Sequence, residues 1–180
     1  MFHESVFALS STTVATAIED GFILEYFRER SRKDIENLND LNNFPKILEV
    51  RSVNSEEVSK ILQKLSPDLL VIWGSTIIQP DIIKLAKKAI NLHMGLCPYY
   101  RGAIANQHAV MRRHPTCIGA TIHYAAEQVD AGNILETITV DIAKPPRELF
   151  RELNDKTENR YLDIAYRLSK GEELVSTPQD

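Results

Sequence analysis

The segment Asp68-Leu69-Leu70-Val71-Ile72-Trp73-Gly74 constrains this chain more than any other. Five consecutive apolar residues closed by a glycine read as a strand with no polar face, the pattern of a parallel strand covered on both sides. Its flanks have helical period. Asn54 can cap a helix, with Glu57 completing a capping box, and Val58, Ile61, Leu62 and Leu65 then fall on one stripe until Pro67 stops it. Pro80 can open a second helix through Ile83, Leu85 and Ala86, and Ile90 to His93 reads as strand again. This βαβ alternation predicts an α/β domain on an open, mostly parallel sheet.

Downstream, Ala103 to Arg113 reads as helix, while Ile118 to Tyr124 and Ile134 to Ile142 are β-branched runs that read as strands. Pro145 and Pro146 suit the first turn of a closing helix, in which Leu149, Phe150, Leu153, Tyr161, Ile164, Ala165 and Leu168 roughly keep a helical period. Upstream the pattern is weaker. Ser5 to Ser10 reads as a short strand, Thr12 to Asp20 as a short helix ending at Gly21, and Arg28 to Asn43 as a solvated helix or loop. The chain is expected to divide into residues 1–50, a divergent or truncated part of the sheet, a core over 51–170 and a tail over 171–180. Ser176 to Asp180 is expected to fray.

Composition narrows the function classes. The 180 residues include 21 basic and 25 acidic side chains, a formal charge of −4, which gives no broad basic face for nucleic acid. The uncharged run Leu69 to Gln79 is about half the length of a membrane-spanning helix, so no span is expected. Met1 to Asp20 lacks the basic leader and apolar block of a secretory signal. Two cysteines, Cys97 and Cys117, are too few for a disulfide framework or a four-cysteine zinc site. These features predict a cytoplasmic enzyme or binding domain without a metal.

Candidate chemistry gathers at one strand end. Asn91 and His93 are two apart on a strand, so their side chains share a face, and they lie where open α/β sheets place ligands. A turn-rich segment, Met94 to Gly102, follows at once, and Val129-Asp130-Ala131-Gly132 forms a polar turn between two later strands. This set suits acyl transfer. A carboxamide can donate to a developing oxyanion, an imidazole can donate or move a proton, and a carboxylate can orient the imidazole or accept a proton. None of the three is a strong nucleophile, so the attacking group is expected from the substrate, an amine being the natural candidate. Singly, each residue has an ordinary alternative: a strand-end Asn as a turn former, a sheet His as packing, an Asp before Gly132 as a turn signal.

The ordered set resembles folate-dependent formyltransferases. The motifs are Ile90-Asn91-Leu92-His93, Leu96-Cys97-Pro98-Tyr99-Tyr100-Arg101-Gly102, Gly119-Ala120-Thr121-Ile122-His123-Tyr124 and Val129-Asp130-Ala131-Gly132-Asn133-Ile134-Leu135. Ser66 to Gly74 resembles the strand that precedes the family's folate loop, and the likeness runs from about Asn54 to Ile142. The resemblance implies a doubly wound, Rossmann-related sheet flanked by helices in a single domain. It also implies formyl transfer from the co-substrate 10-formyltetrahydrofolate to a primary amine. The family's catalytic Asn, His and Asp fall on Asn91, His93 and Asp130. Folate would lie against Trp73, Gly74, Ser75, Ile77, Ile78 and Val129. Acceptor contacts would come from Gly95, Tyr100, Arg101, Gly102 and His123, the last equally readable as a packing residue.

The sequence departs from that pattern in places. Met94-Gly95 replaces the usual Pro-Ser, and Cys97 stands for a leucine and reads as a small buried hydrophobe. Val6 to Thr13 is a poor match to the family's opening strand and Gly- or Ser-rich turn. The β-rich domain of members that formylate initiator methionyl-tRNA is not seen here. With the acidic balance, this points to a small-molecule acceptor, amino sugars slightly ahead, and the Arg112-Arg113 pair is too small to reverse it. A non-catalytic folate-binding module, a methionyl-tRNA formyltransferase-like protein and a formyl-tetrahydrofolate hydrolase remain as alternatives.

Overall fold

The computed structural model of the chain describes residues 6–10 and 46–179. They form two compact units, Met1–Ser55 and Glu56–Asp180. In the first, β1 (Val6–Ser10) pairs in parallel with β2 (Lys46–Val50). The helix expected over Thr12–Asp20 and the segment Arg28–Asn43 lie outside the described residues.

The second unit is an α/β layer built on a four-stranded sheet in the order β3-β4-β5-β6. Its strands are β3 (Leu69–Trp73), β4 (Lys88–His93), β5 (Ala120–Tyr124) and β6 (Ile134–Ile138). The α/β class holds, but this sheet is mixed: β3 and β4 run parallel, while β4–β5 and β5–β6 are antiparallel. Of the pairings among the described strands, β1–β2 and β3–β4 are parallel and the other two antiparallel. The short turn around Asp130 joins adjacent strands directly, and a connection that short reverses the chain. β3 is also less covered than its apolar run suggests, Val71 and Trp73 each being 47% exposed. Among the described strands of its unit, β3 pairs with β4 on one side.

Helices bracket the strands. α1 (Glu56–Leu65) starts two residues after Asn54, whose own N–H turns back to Ser52 Oγ at 3.2 Å. α2 (Pro80–Ile83) makes one turn and stops before Leu85 and Ala86. There the backbone is drawn into the parallel ladder, Lys87 N–H bonding Pro67 O and Lys88 N–H bonding Asp68 O, both at 3.1 Å. α3 (Ala105–Met111) begins late because Gly102 and Ile104 both take positive φ. β5 begins at Ala120 because Gly119 is held by a side chain: Asn106 Nδ2 donates to Gly119 O at 2.8 Å, and Gly119 N–H donates to Asn106 Oδ1 at 2.9 Å. After β6, Asp141 Oδ1 accepts the Ala143 N–H at 3.0 Å, a turn that ends the strand run short of Ile142.

The closing helix α4 (Pro146–Ser169) buries Leu149, Leu153, Thr157, Tyr161, Ile164 and Leu168, one stripe at helical spacing. The stripe packs on β3, β5 and β6 and joins Ile90, Leu92, Ala120 and Ile122 in the core. Burying each such aliphatic side chain contributes about 1.5–3 kcal/mol. Tyr161 adds a polar anchor: its hydroxyl accepts the Ile72 N–H at 2.9 Å and lies 2.7 Å from Ile72 O and 3.0 Å from Ile90 O. Burial pushes its ionisation well above the ordinary phenol value.

Residues 176–179 do not fray as expected. Thr177 exchanges backbone hydrogen bonds with Ile134 at 2.7 and 2.8 Å, so the segment lies along β6. Among the described residues, no helix is long and apolar enough to cross a membrane.

Candidate active site

Register decides what meets at the end of β4. The antiparallel pairing sets Asn91 opposite His123 and His93 opposite Thr121. These four side chains therefore alternate onto one face of two neighbouring strands. The β5–β6 turn then brings Asp130 over them, with φ +50°, a left-handed conformation that Asp tolerates better than most residues. Gly132 makes that turn possible, since a Cβ there would land on the Tyr124 carbonyl oxygen.

Asp130 is the hub. Its Oδ2 accepts the Gly102 N–H at 2.8 Å and faces His93 Nδ1 at 3.2 Å. Its Oδ1 accepts from Asn91 Nδ2 at 3.1 Å and faces His123 Nε2 at 3.4 Å. Burial alone pushes the carboxyl upward, but the His123 contact, the His93 charge and the Gly102 N–H together hold it below the usual aspartate value. Asp130 is thus an ionised acceptor at neutral pH.

The surrounding acceptors orient the rings and the amide. His123 Nδ1 donates to the Tyr124 carbonyl at 2.8 Å, and its Nε2 lies 3.2 Å from Asn91 Nδ2 and 3.4 Å from Asp130 Oδ1. One Asn91 amide hydrogen is engaged on Asp130. His93 lies between two acceptors, the Tyr100 carbonyl at 2.8 Å from Nε2 and Asp130 at Nδ1. Both contacts are complete when each ring nitrogen carries a hydrogen.

The loop after His93 is built to hold that ring. A Cβ on Gly95 would collide with His93 Nε2 and with Ala105 Cβ, so glycine leaves the space in which the imidazole sits. Thr121, fully buried, donates to Gly95 O at 2.7 Å and accepts the Cys97 N–H at 3.0 Å. Cys97 is buried, its Sγ 3.4 Å from Asp130 O, and burial pushes its thiol up to about 11, as befits a packing residue.

The sequence-predicted residues divide into groups. Asn91, His93 and Asp130 converge. Gly95, Tyr100 and His123, expected as acceptor contacts, are buried, with His123 Nε2 directly against Asn91 and Asp130. Tyr100 supports the His93 ring with its carbonyl, while its hydroxyl pairs with His114 Nδ1 at 2.7 Å. Arg101 is exposed and Gly102 half-buried, both beside Asp130. Trp73, Gly74, Ser75 and Ile77 are exposed, Ile78 half-buried, on a loop that leaves β3 where Trp73 is in register with Leu92. That loop therefore starts at the same sheet end as His93. Trp73, Ile77 and Val129 are exposed apolar side chains. Thr121 and Asn106 were not singled out from the sequence. Thr121 was traceable, two residues from His123 on the same strand face, whereas nothing local marks Asn106. Among the described residues, no cluster of His, Cys, Asp or Glu could hold a metal ion.

Residues 23–163 match a family model described as formyl transferase. The methionyl-tRNA formyltransferase of Limosilactobacillus fermentum is 31% identical over 145 residues, covering 78% of this chain and 45% of that protein. That of Clostridium acetobutylicum is 34% identical over 125 residues, covering 68% and 39%. The chain spans less than half the length of the curated relatives it matches. Among solved structures, a formyltransferase from Anoxybacillus kamchatkensis in complex with UDP-4,6-dideoxy-4-formamido-L-AltNAc and tetrahydrofolate superposes with a TM-score of 0.61. Identity is 21%, over 97% of this chain and 81% of that one. Glycinamide ribonucleotide transformylase 1 from Symbiobacterium toebii gives 0.60 at 18% identity, over 76% and 71%.

Proposed function

The chain belongs to the formyl transferase family, and from that membership we propose that it transfers a formyl group from 10-formyltetrahydrofolate to a primary amine of a small acceptor, an amino sugar or similar. The observation that carries the proposal is the convergence of Asn91, His93 and Asp130 within hydrogen-bond reach of one another. The folate, when bound, supplies an activated formyl carbon. Trp73, Ile77 and Val129 would cover its ring, leaving the chemistry to the polar cluster.

In this reading Asn91 turns one N–H, and His93 its Nδ1–H, from Asp130 to the formyl oxygen as negative charge develops there. Freed of those N–H groups, ionised Asp130 accepts the proton of the attacking amine, directly or through water, and returns it to the departing folate nitrogen. No side chain needs to act as nucleophile. The test is tetrahydrofolate release over a panel of UDP-linked 4-amino sugars, glycinamide ribonucleotide and methionyl-tRNA. Asn91→Ala and Asp130→Asn should each lower turnover by about 10²–10³, with the circular dichroism and melting profile of a folded chain. Full activity in either variant would remove that residue from the mechanism.

A second acceptor has a specific observation behind it. The relatives compared above carry the name methionyl-tRNA formyltransferase and are more similar in sequence than the sugar enzyme. Release of tetrahydrofolate with methionyl-tRNA alone would favour that reading.

A further inference from the structure

Residues 176–179 take no part in the chemistry just described, yet they are tied to the loop that performs it. Asn133 Nδ2 reaches Ser176 Oγ at 3.5 Å, and Thr177 pairs with Ile134. Gln179 goes further: its Nε2 donates to Asp130 O at 2.9 Å and to Gly132 O at 2.6 Å. Its Oε1 accepts from Arg101 Nε at 3.2 Å and Nη2 at 2.8 Å. Every hydrogen-bonding atom of the Gln179 amide is thus used, and it joins the two segments that hold the Asp130 carboxylate.

We infer that Gln179 is a positioning residue for Asp130, its amide N–H groups fixing the loop carbonyls that aim the carboxylate at Asn91 and His93. The loop has reason to need this. Asp130 holds a positive φ that L residues seldom adopt, and such a conformation persists only where its surroundings over-determine it. The carbonyls of Asp130 and Gly132 converge on one point, and a primary amide brings two hydrogens to it. On the other side, drawing in Arg101 carries its neighbour Gly102 along, whose N–H completes the Asp130 hydrogen bonds. The catalytic meaning of this contact rests on the formyl-transfer reading, but its test does not.

The experiment uses the full chain with Gln179→Leu, which removes all four hydrogen bonds, and Gln179→Glu, which keeps an acceptor for Arg101 but loses the N–H donors. Amide hydrogen exchange at Gly102 is compared with that at Leu153 in the core. Both variants should speed Gly102 exchange about tenfold and leave Leu153 unchanged. In Gln179→Leu, the pH midpoint of the Gly102 amide shift, which follows Asp130 ionisation, should rise toward the ordinary aspartate value. Unchanged Gly102 exchange in both variants would overturn the inference. So would wild-type behaviour of Gln179→Glu, since Arg101 anchoring would then suffice, or equal acceleration at Leu153, which would mark a general stability effect. A wild-type chain that released no tetrahydrofolate would instead defeat the formyl-transfer reading, with Gly102 still reporting on Gln179.

Discussion

Gly102 N–H, Asn91 Nδ2 and the rings of His93 and His123 all converge on the Asp130 carboxylate, while burial opposes its charge. Because the net effect is a lowered value, the folded chain binds this proton less readily than the unfolded chain, whose aspartate titrates near ~3.9. Ionised Asp130 therefore contributes stability that is fully present well above pH ~4 and is lost as pH falls through the folded value. Asp130→Asn cannot titrate. The stability of wild type minus that of Asp130→Asn, measured by urea denaturation, should shrink as pH drops from about 6 to about 3. A difference that stayed flat would mean the carboxylate is not held below its ordinary value. Cys97 gives a second residue-scale check. Buried and with its thiol pushed up to about 11, it should resist alkylation in the native chain. Half-exposed Cys117 should react first, as mass mapping of the labelled peptide would show.

Elements set the frame in which those residues meet. Strand alternation brought Asn91 and His93 to one face and was legible in the sequence, as was the stripe on α4. The partner strand was not. Only antiparallel pairing with β5 places His123 opposite Asn91 and Thr121 opposite His93. Element ends moved for similar reasons: β5 starts at Ala120 because Asn106 takes both backbone groups of Gly119. Asn106 is buried, so Asn106→Ala should leave a buried N–H and C=O without partners and cost about 3 kcal/mol of unfolding free energy. Equilibrium urea unfolding would measure it, and a loss below ~0.5 kcal/mol would show that the pair merely replaces water. Thr157 sits in the apolar stripe of α4 and carries a buried hydroxyl without a hydrogen-bond partner. The structure offers no physical reason for its presence.

At the scale of the molecule, a charge of −4 bears on which acceptor the chain meets. A small amine needs no field from the protein. Its turnover should change by no more than about twofold between 50 and 200 mM salt, whereas a tRNA acceptor held by several phosphate contacts would lose about 10³-fold or more in affinity over that range. Initial rates of tetrahydrofolate release across a salt series separate the two. The family's fold is recovered although the sequence shares only 18–21% identity with the solved structures compared above. A hydrophobic pattern can be kept while most surface positions change.

The sequence by itself determined the α/β class, the helical and strand periods around Leu69–Trp73 and α4, and the kinds of side chain available for chemistry. Those follow from local geometry, since side-chain direction repeats every 2 residues along a strand and every 3.6 along a helix. Tertiary structure alone decided that β4–β5 and β5–β6 run antiparallel. It also decided that Gly95 makes room for His93, that Tyr100 and His123 are buried against His93 and Asn91, and that Gln179 reaches Asp130 from 49 positions away. Each depends on contacts between residues distant in the chain, and no periodicity records which distant groups a fold will bring within 3 Å.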